Sequence, residues 1–314
     1  MVRAQHVEVI EPRDVPLGGP RSMTVRRTLP QRPRSLVGAW CFVDHYGPDD
    51  VASTGGMVVP PHPHTGLQTV SWLYAGEVEH RDSTGAHALV RPGEVNLMTA
   101  GHGVSHSEVS TPGTTSLHGV QLWVALPRAV QDIAPAFEHH VPGVDVVGDA
   151  TLRVFVGTFA GTTSAVTTYS PLVGAELRLP AAGATSLPLD PAFEHALLVD
   201  GGVLDVAGTE VLPGRLAYVG TGVTSVDLRV LDGDDVRVLL LGGEPLGEEI
   251  VMWWNFVART HDEIVEQRAA WQARAARFGV VDGYLGDPSW LPAPELPHLR
   301  LKPRPNPPTG HGAR

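Results

Sequence analysis

Short apolar runs closed by glycine or proline are what most limits the folds open to this chain. Thr69-Val70-Ser71-Trp72-Leu73-Tyr74 ends at Ala75-Gly76. Ala88-Leu89-Val90-Arg91 ends at Pro92-Gly93, after which Glu94-Val95-Asn96-Leu97-Met98 begins. Such runs are short for helices and rich in β-branched and aromatic residues, so they predict strands. The 35 glycines and 28 prolines among 314 residues supply the turns between them. The expected fold class is all-β.

This rhythm runs from about Thr24 to Leu126 and again from Leu152 to Leu241, with residues 127–149 expected as a linker. Phe193–Gly202 echoes the strand and turn around Leu73-Tyr74-Ala75-Gly76, and Val211–Leu216 echoes Val90–Val95. That weak internal repeat predicts two similar β-barrels in tandem. The expected division is an N-terminal barrel over residues 1–135, a second barrel over 136–290, and a proline-rich tail over 291–314, poorly ordered at least after Leu301. One helix is expected at about 260–278. Thr260 and Glu263 fit a capping box, and Ile264, Trp271, Ala275 and Phe278 recur at helical spacing to dock on a barrel. Trp253-Trp254-Asn255-Phe256 is expected to pack between the domains.

Composition removes several functional classes. Net charge is −11 and no stretch interleaves arginine with aromatics, so direct nucleic-acid binding is not expected. Cys41 is the single cysteine, which excludes an intramolecular disulfide and Cys₂His₂ zinc sites. The N-terminus lacks a basic-then-apolar signal profile, and no apolar run approaches the ~20 residues that span a bilayer. A soluble cytoplasmic protein is the expectation.

Chemistry concentrates in His62-Pro63-His64 and His106-Ser107-Glu108. Side chains at i and i+2 share one face of a strand, so two such strands inside a barrel converge three imidazoles and a carboxylate. That donor set suits Fe(II), Mn(II), Ni(II), Cu(II) or Zn(II) and disfavours Ca²⁺ and Mg²⁺. A six-coordinate ion would keep two positions open, whereas tetrahedral zinc would be structural. The second repeat, Leu152–Leu241, offers only His195, with no His-x-His or His-x-Glu, and is expected to be metal-free. His80, His87 and His118 are read mainly as surface residues, with hydrogen bonding behind the ligands as the lesser reading. His102, in Ala100-Gly101-His102-Gly103, and His45, in Asp44-His45-Tyr46-Gly47-Pro48, are pocket candidates.

At these residues the chain resembles the pirin family of bicupins. The motifs are Pro61-His62-Pro63-His64-Thr65-Gly66-Leu67-Gln68-Thr69-Val70, His80-Arg81-Asp82-Ser83, Met98-Thr99-Ala100-Gly101 and Val104-Ser105-His106-Ser107-Glu108. Asp44-His45-Tyr46-Gly47-Pro48, Gly119–Val124 and Gly243-Glu244-Pro245-Leu246 also match, so the resemblance spans roughly residues 1–278. It implies two tandem cupin barrels with a C-terminal helix packed on them, the second barrel degenerate. It also implies that His62, His64, His106 and Glu108 hold Fe(II), with Zn, Mn, Ni, Cu or Co as alternatives.

The implied activity is a quercetinase-like dioxygenase. It would open the heterocycle of a flavonol such as quercetin, or of a related chelating enol, with O₂ and release carbon monoxide. Glu108 would be ligand and general base. The alternative implied is a non-catalytic, iron-dependent regulator that binds a transcription factor or metabolic enzyme. Expected partners are therefore a small-molecule substrate and O₂, with a protein partner open, and neither nucleic acid nor membrane. Three positions depart from the family pattern: Gln68 for the common Glu, Leu97 for the aromatic before Met98, and His102 for the usual Arg. With His45 and Met98 they form the expected pocket, and the departures bear on substrate identity.

Overall fold

The computed structural model describes residues 6–17, 23–232, 234–304 and 306. The start of the N-terminal profile (residues 1–5) and most of the last stretch of the tail (307–314) lie outside them. Alternation of side chains builds two barrels, each a large antiparallel sheet closed by a four-stranded one. In the first, seven strands run in the order Ala136–His140, Val95–Thr99, Leu67–Ala75, Ser116–Ala125, Trp40–Asp50, Met23–Leu29 and Arg13–Leu17. Its smaller sheet is ordered Val58–His64, Val104–Ser110, Val78–Asp82, His87–Val90. Val59, Val78 and Val90 from this sheet pack on Val25, Tyr46, Leu73 and Leu117 from the larger one.

The second barrel repeats the plan with an eight-stranded sheet and a four-stranded sheet of Ala184–Pro188, Ser225–Val230, Leu204–Val206 and Thr209–Val211. Period 2 decides what lies between the barrels. Val70, Trp72, Val95, Leu97, Val120 and Leu122 turn away from the first barrel's interior and meet Phe155, Leu198, Tyr218, Leu239 and Leu241 of the second. Trp72 stacks on Phe155 at 4.7 Å and donates its indole N–H to Glu176 at 2.8 Å, so its polar edge is satisfied within the apolar layer.

The barrels also exchange strands. Val7–Ile10 pairs with Leu216–Val219 in the second barrel's sheet, while Ala136–His140 pairs with Val95–Thr99 in the first. The stretch expected as a linker thus carries two strands, Ala136–His140 and Asp145–Val147. Ala136-Phe137-Glu138-His139-His140 lacks apolar alternation because it is an edge strand held by backbone pairing.

Thr260 and Glu263 form the capping box, but the α-helix covers only His261–Gln272, shorter than the expected 260–278. Arg274 adopts φ +53° and a 3₁₀ turn follows at Ala276–Phe278. This break swings Phe278 into the cluster of Trp271, Ile264 and Phe256. The proline-rich stretch is pinned rather than loose where it is described. Leu291 N–H donates to Pro61 O at 2.9 Å, Ala293 is buried, and Asn306 Oδ1 accepts from Ser35 and Leu36 N–H. Among the described residues no helix is long and apolar enough to cross a membrane.

Candidate metal centre

Pro60, Pro61 and Pro63 lack N–H donors, so Val58–His64 cannot make a regular ladder. Its pairing with Val104–Ser110 shifts between His106↔His62 and Glu108↔Val59, leaving one extra residue on the proline strand. On the other side, His106 lies opposite Asp82 and Glu108 opposite His80. One face of the small sheet therefore carries His62, His64, His106, Glu108, His80 and Asp82. Ligand atoms of His62, His64 and His106 lie within 4.8 Å of one another. Those of His80, His106 and Glu108 do likewise, so His106 joins the two groups.

Proton positions follow from the partners. His62 Nδ1 is 2.9 Å from Pro60 O and His64 Nδ1 is 3.2 Å from Asn255 O. Carbonyls only accept, so both Nδ1 atoms carry the proton and both Nε2 atoms keep a lone pair. His80 donates Nε2–H to Asp82 Oδ2 at 3.0 Å, and its Nδ1 is 3.4 Å from His106 Nδ1. His106 thus donates Nδ1–H to His80 and also keeps a bare Nε2. That atom lies 3.1 Å from His64 Nε2. Two facing lone pairs repel, and a cation between them removes the repulsion. This donor set of imidazoles and a carboxylate fits a first-row transition ion.

Burial tunes the same groups. His62, His64, His106 and Glu108 are 5, 2, 1 and 6% exposed. Desolvation lowers His62 to about 4 and holds His64 and His106 well below the ordinary imidazole range, which keeps all three uncharged near neutrality. It pushes the Glu108 carboxyl up, against the His80 field and the Ser71 hydroxyl 3.4 Å from Oε1. Burial also raises Asp82, but hydrogen bonds from His80 and Thr84 outweigh it and hold the carboxyl below its usual range. Trp123 stands edge-on to His64 at 5.1 Å, and Phe137 stacks on His80 at 4.7 Å.

The pocket candidates divide by strand parity. His45, Gln68 and Leu97 do not face the histidines. Gln68 donates to Thr99 Oγ1 and to Thr167 O of the second barrel, and Leu97 lies in the layer between barrels. Each shares the outward face of its strand with residues such as Val43, Val70 and Val95. Met98 takes the opposite face and packs with Trp123 inside the first barrel. His102 is half-buried, and its carbonyl accepts from Arg277.

His45 instead joins His118 and Asp200. His45 Nε2 and His118 Nε2 lie 2.7 and 2.6 Å from Asp200 Oδ1, while Arg237 donates to Oδ2 at 2.7 Å. Both imidazoles donate to one carboxylate there, so this group is satisfied without a metal. His80 is buried behind His106 and not at the surface, whereas His87 is exposed beside Glu79. The Asp82 and Asn255 contacts were missed by sequence reasoning. His80-Arg81-Asp82 has the same i, i+2 spacing as His62/His64 and His106/Glu108 and was the available signal; nothing local marks Asn255.

The family model "Pirin" matches residues 22–124, and "Pirin C-terminal cupin domain" matches residues 174–279. A Pseudomonas aeruginosa protein named "Putative quercetin 2,3-dioxygenase" is 45% identical over 94% of this chain and 92% of its own length. A crystal structure of quercetin 2,3-dioxygenase from Acinetobacter baumannii superposes with a TM-score of 0.88 at 40% identity, covering 94% of this chain and 97% of that one. A bacterial pirin from Escherichia coli in complex with nickel(II) shares the fold at TM-score 0.60 and 19% identity, over 76% of this chain and all of the other. Two cupin barrels, matched along nearly the whole chain and carrying the histidine cluster in the first, place this protein in the pirin family.

Proposed function

We propose that this protein is a non-haem Fe(II) dioxygenase acting on a flavonol such as quercetin or a related chelating enol. The observation that carries the reading is the convergence of His62, His64 and His106, with the Nε2 atoms of His64 and His106 3.1 Å apart and the buried Glu108 carboxylate grouped with His106. The relatives named for quercetin 2,3-dioxygenase support the reaction class. His62, His64, His106 and Glu108 would hold the ion, which when bound supplies Lewis acidity and a redox couple for O₂ chemistry.

The chain's own groups do the rest. Carbonyls of Pro60 and Asn255 fix the tautomers of His62 and His64, and His80 with Asp82 fixes that of His106. Glu108 takes the enol proton at Oε2, since Oε1 faces the Ser71 hydroxyl. Trp123 and Phe137 keep bulk water from the imidazoles.

Aerobic incubation with quercetin and Fe(II), followed by loss of flavonol absorbance, tests this. Turnover is expected in the wild type and at least about 100-fold less in His64→Ala, in line with loss of an essential metal ligand. Wild-type turnover no greater than that of His64→Ala would remove the proposal. Stoichiometric iron without turnover would leave the iron-dependent regulator, with a protein partner in place of a substrate.

A further inference from the structure

The second barrel holds a cavity of about 290 Å³. Thr158, Phe159, Thr168, Asp190, Phe193 and His195 are among the residues lining it, and none of the metal-centre histidines is. His195 is 1% exposed, and its Nδ1 has no hydrogen-bond partner among the described residues. An unsatisfied buried polar atom costs about 1–3 kcal/mol, so a core built only for packing would carry an apolar side chain at this position. Its strand continues with exactly such residues, Ala196-Leu197-Leu198-Val199. The neighbouring strand makes room for the ring. Gly242 lies opposite His195 in register, and a Cβ there would come within 2.9 Å of His195 Cδ2.

Charge and size narrow the occupant. Among the described residues Asp190 is the one charged side chain lining the cavity, and no Arg or Lys accompanies it, so an anion is disfavoured. Burial lowers His195 to about 4, which keeps the imidazole uncharged near neutrality. The volume lies just below the roughly 300–1,000 Å³ typical of ligand pockets, ample for a single aromatic ring.

We propose that the second barrel binds a small neutral phenol, its ring against Phe159 and Phe193 and its hydroxyl hydrogen-bonded to the His195 imidazole. The site is separate from the first barrel's histidines and independent of the activity proposed for them.

Phenol, toluene and benzoate titrated into the full-length protein, followed by methyl NMR, test it. Phenol is expected to give saturable shifts at the Leu172 and Val173 methyls, which also line the cavity. Benzoate, with the same ring and a negative charge, is expected to give none. His195→Phe keeps a ring but removes the nitrogens. It should weaken phenol roughly 3- to 10-fold, the value of one hydrogen bond, and leave toluene within 2-fold. Absence of shifts at those methyls, benzoate binding as well as phenol, or equal phenol affinity in His195→Phe would overturn the site. If that variant does not fold, the wild type decides: phenol tighter than toluene by the same factor supports the site, and equal affinity overturns it.

Discussion

His80 shows what one imidazole does when both of its nitrogens are committed. Asp82 takes Nε2–H at 3.0 Å, so Nδ1 is left as acceptor for His106, and His106 is turned with its bare Nε2 toward His64. Replacing His80 by Phe keeps the ring against Phe137 but removes that acceptor. Metal affinity is expected to fall about 10- to 100-fold, measured by chelator competition, with the far-UV spectrum unchanged. Unchanged affinity would show that His106 is oriented by something else. The convergence of His62, His64, His106 and Glu108 on one sheet face was legible in the sequence because spacing by two places residues on one strand face. Which residues oppose them was not. His45, Gln68 and Leu97 belong to motifs beside the ligands in sequence, yet a shift of one residue along a strand reverses the face, and all three point to the second barrel.

At the level of elements, the centre is closed by a hairpin far away in sequence. Val251–Trp253 pairs with Phe256–Ala258, and the turn between them offers Asn255 O to His64. The hairpin docks through Thr65, whose carbonyl accepts Val257 N–H at 3.1 Å. Gly66 allows this approach. It adopts φ +68°, and a Cβ there would lie 2.2 Å from Val257 O. Gly66→Ala must therefore strain its own backbone and push the hairpin away. A loss of about 2–4 kcal/mol in urea unfolding is expected, together with weaker metal binding as His64 loses its carbonyl partner. A stable variant with normal metal affinity would show that the hairpin does not hold His64. The strands and the capped helix could be read locally, from turns, alternation and Thr260 with Glu263. The helix end could not, because Arg274 leaves the helix for a tertiary reason, the seating of Phe278 beside Trp271.

For the whole molecule, the two barrels behave as one body because each completes the other. Asp200 of the second barrel accepts from His45 and His118 of the first. Burial pushes Asp200 up, but the hydrogen bonds from the two imidazoles outweigh it and hold the carboxyl well below its usual range. Its contribution to stability is thus full above the unfolded carboxyl value of about 3.9 and is lost as pH falls below it. Burial lowers His45, so the unfolded chain takes up a proton there first, and stability also falls from about pH 6.5 downward. Asp200→Asn removes the carboxylate nearest Arg237 and the shared acceptor of both imidazoles, and is expected to cost about 3 kcal/mol near neutrality. Urea unfolding should show wild type and variant converging below about pH 4; parallel curves down to pH 2 would deny the depressed carboxyl. The strand exchange makes a second demand. Val7–Ile10 covers the edge Leu216–Val219, and Ile10 is buried in the layer between barrels. Removing residues 1–10 uncovers the backbone of that edge and opens the shared layer, while the sheet that carries the histidine cluster keeps all of its own pairings. Hydrogen exchange should therefore quicken first at Leu216–Val219 and in the strand Glu194–Gly201 beside it, before the strand Val104–Ser110. Equal protection of both barrels in the truncated chain would mean that the exchanged strand contributes no stability of its own.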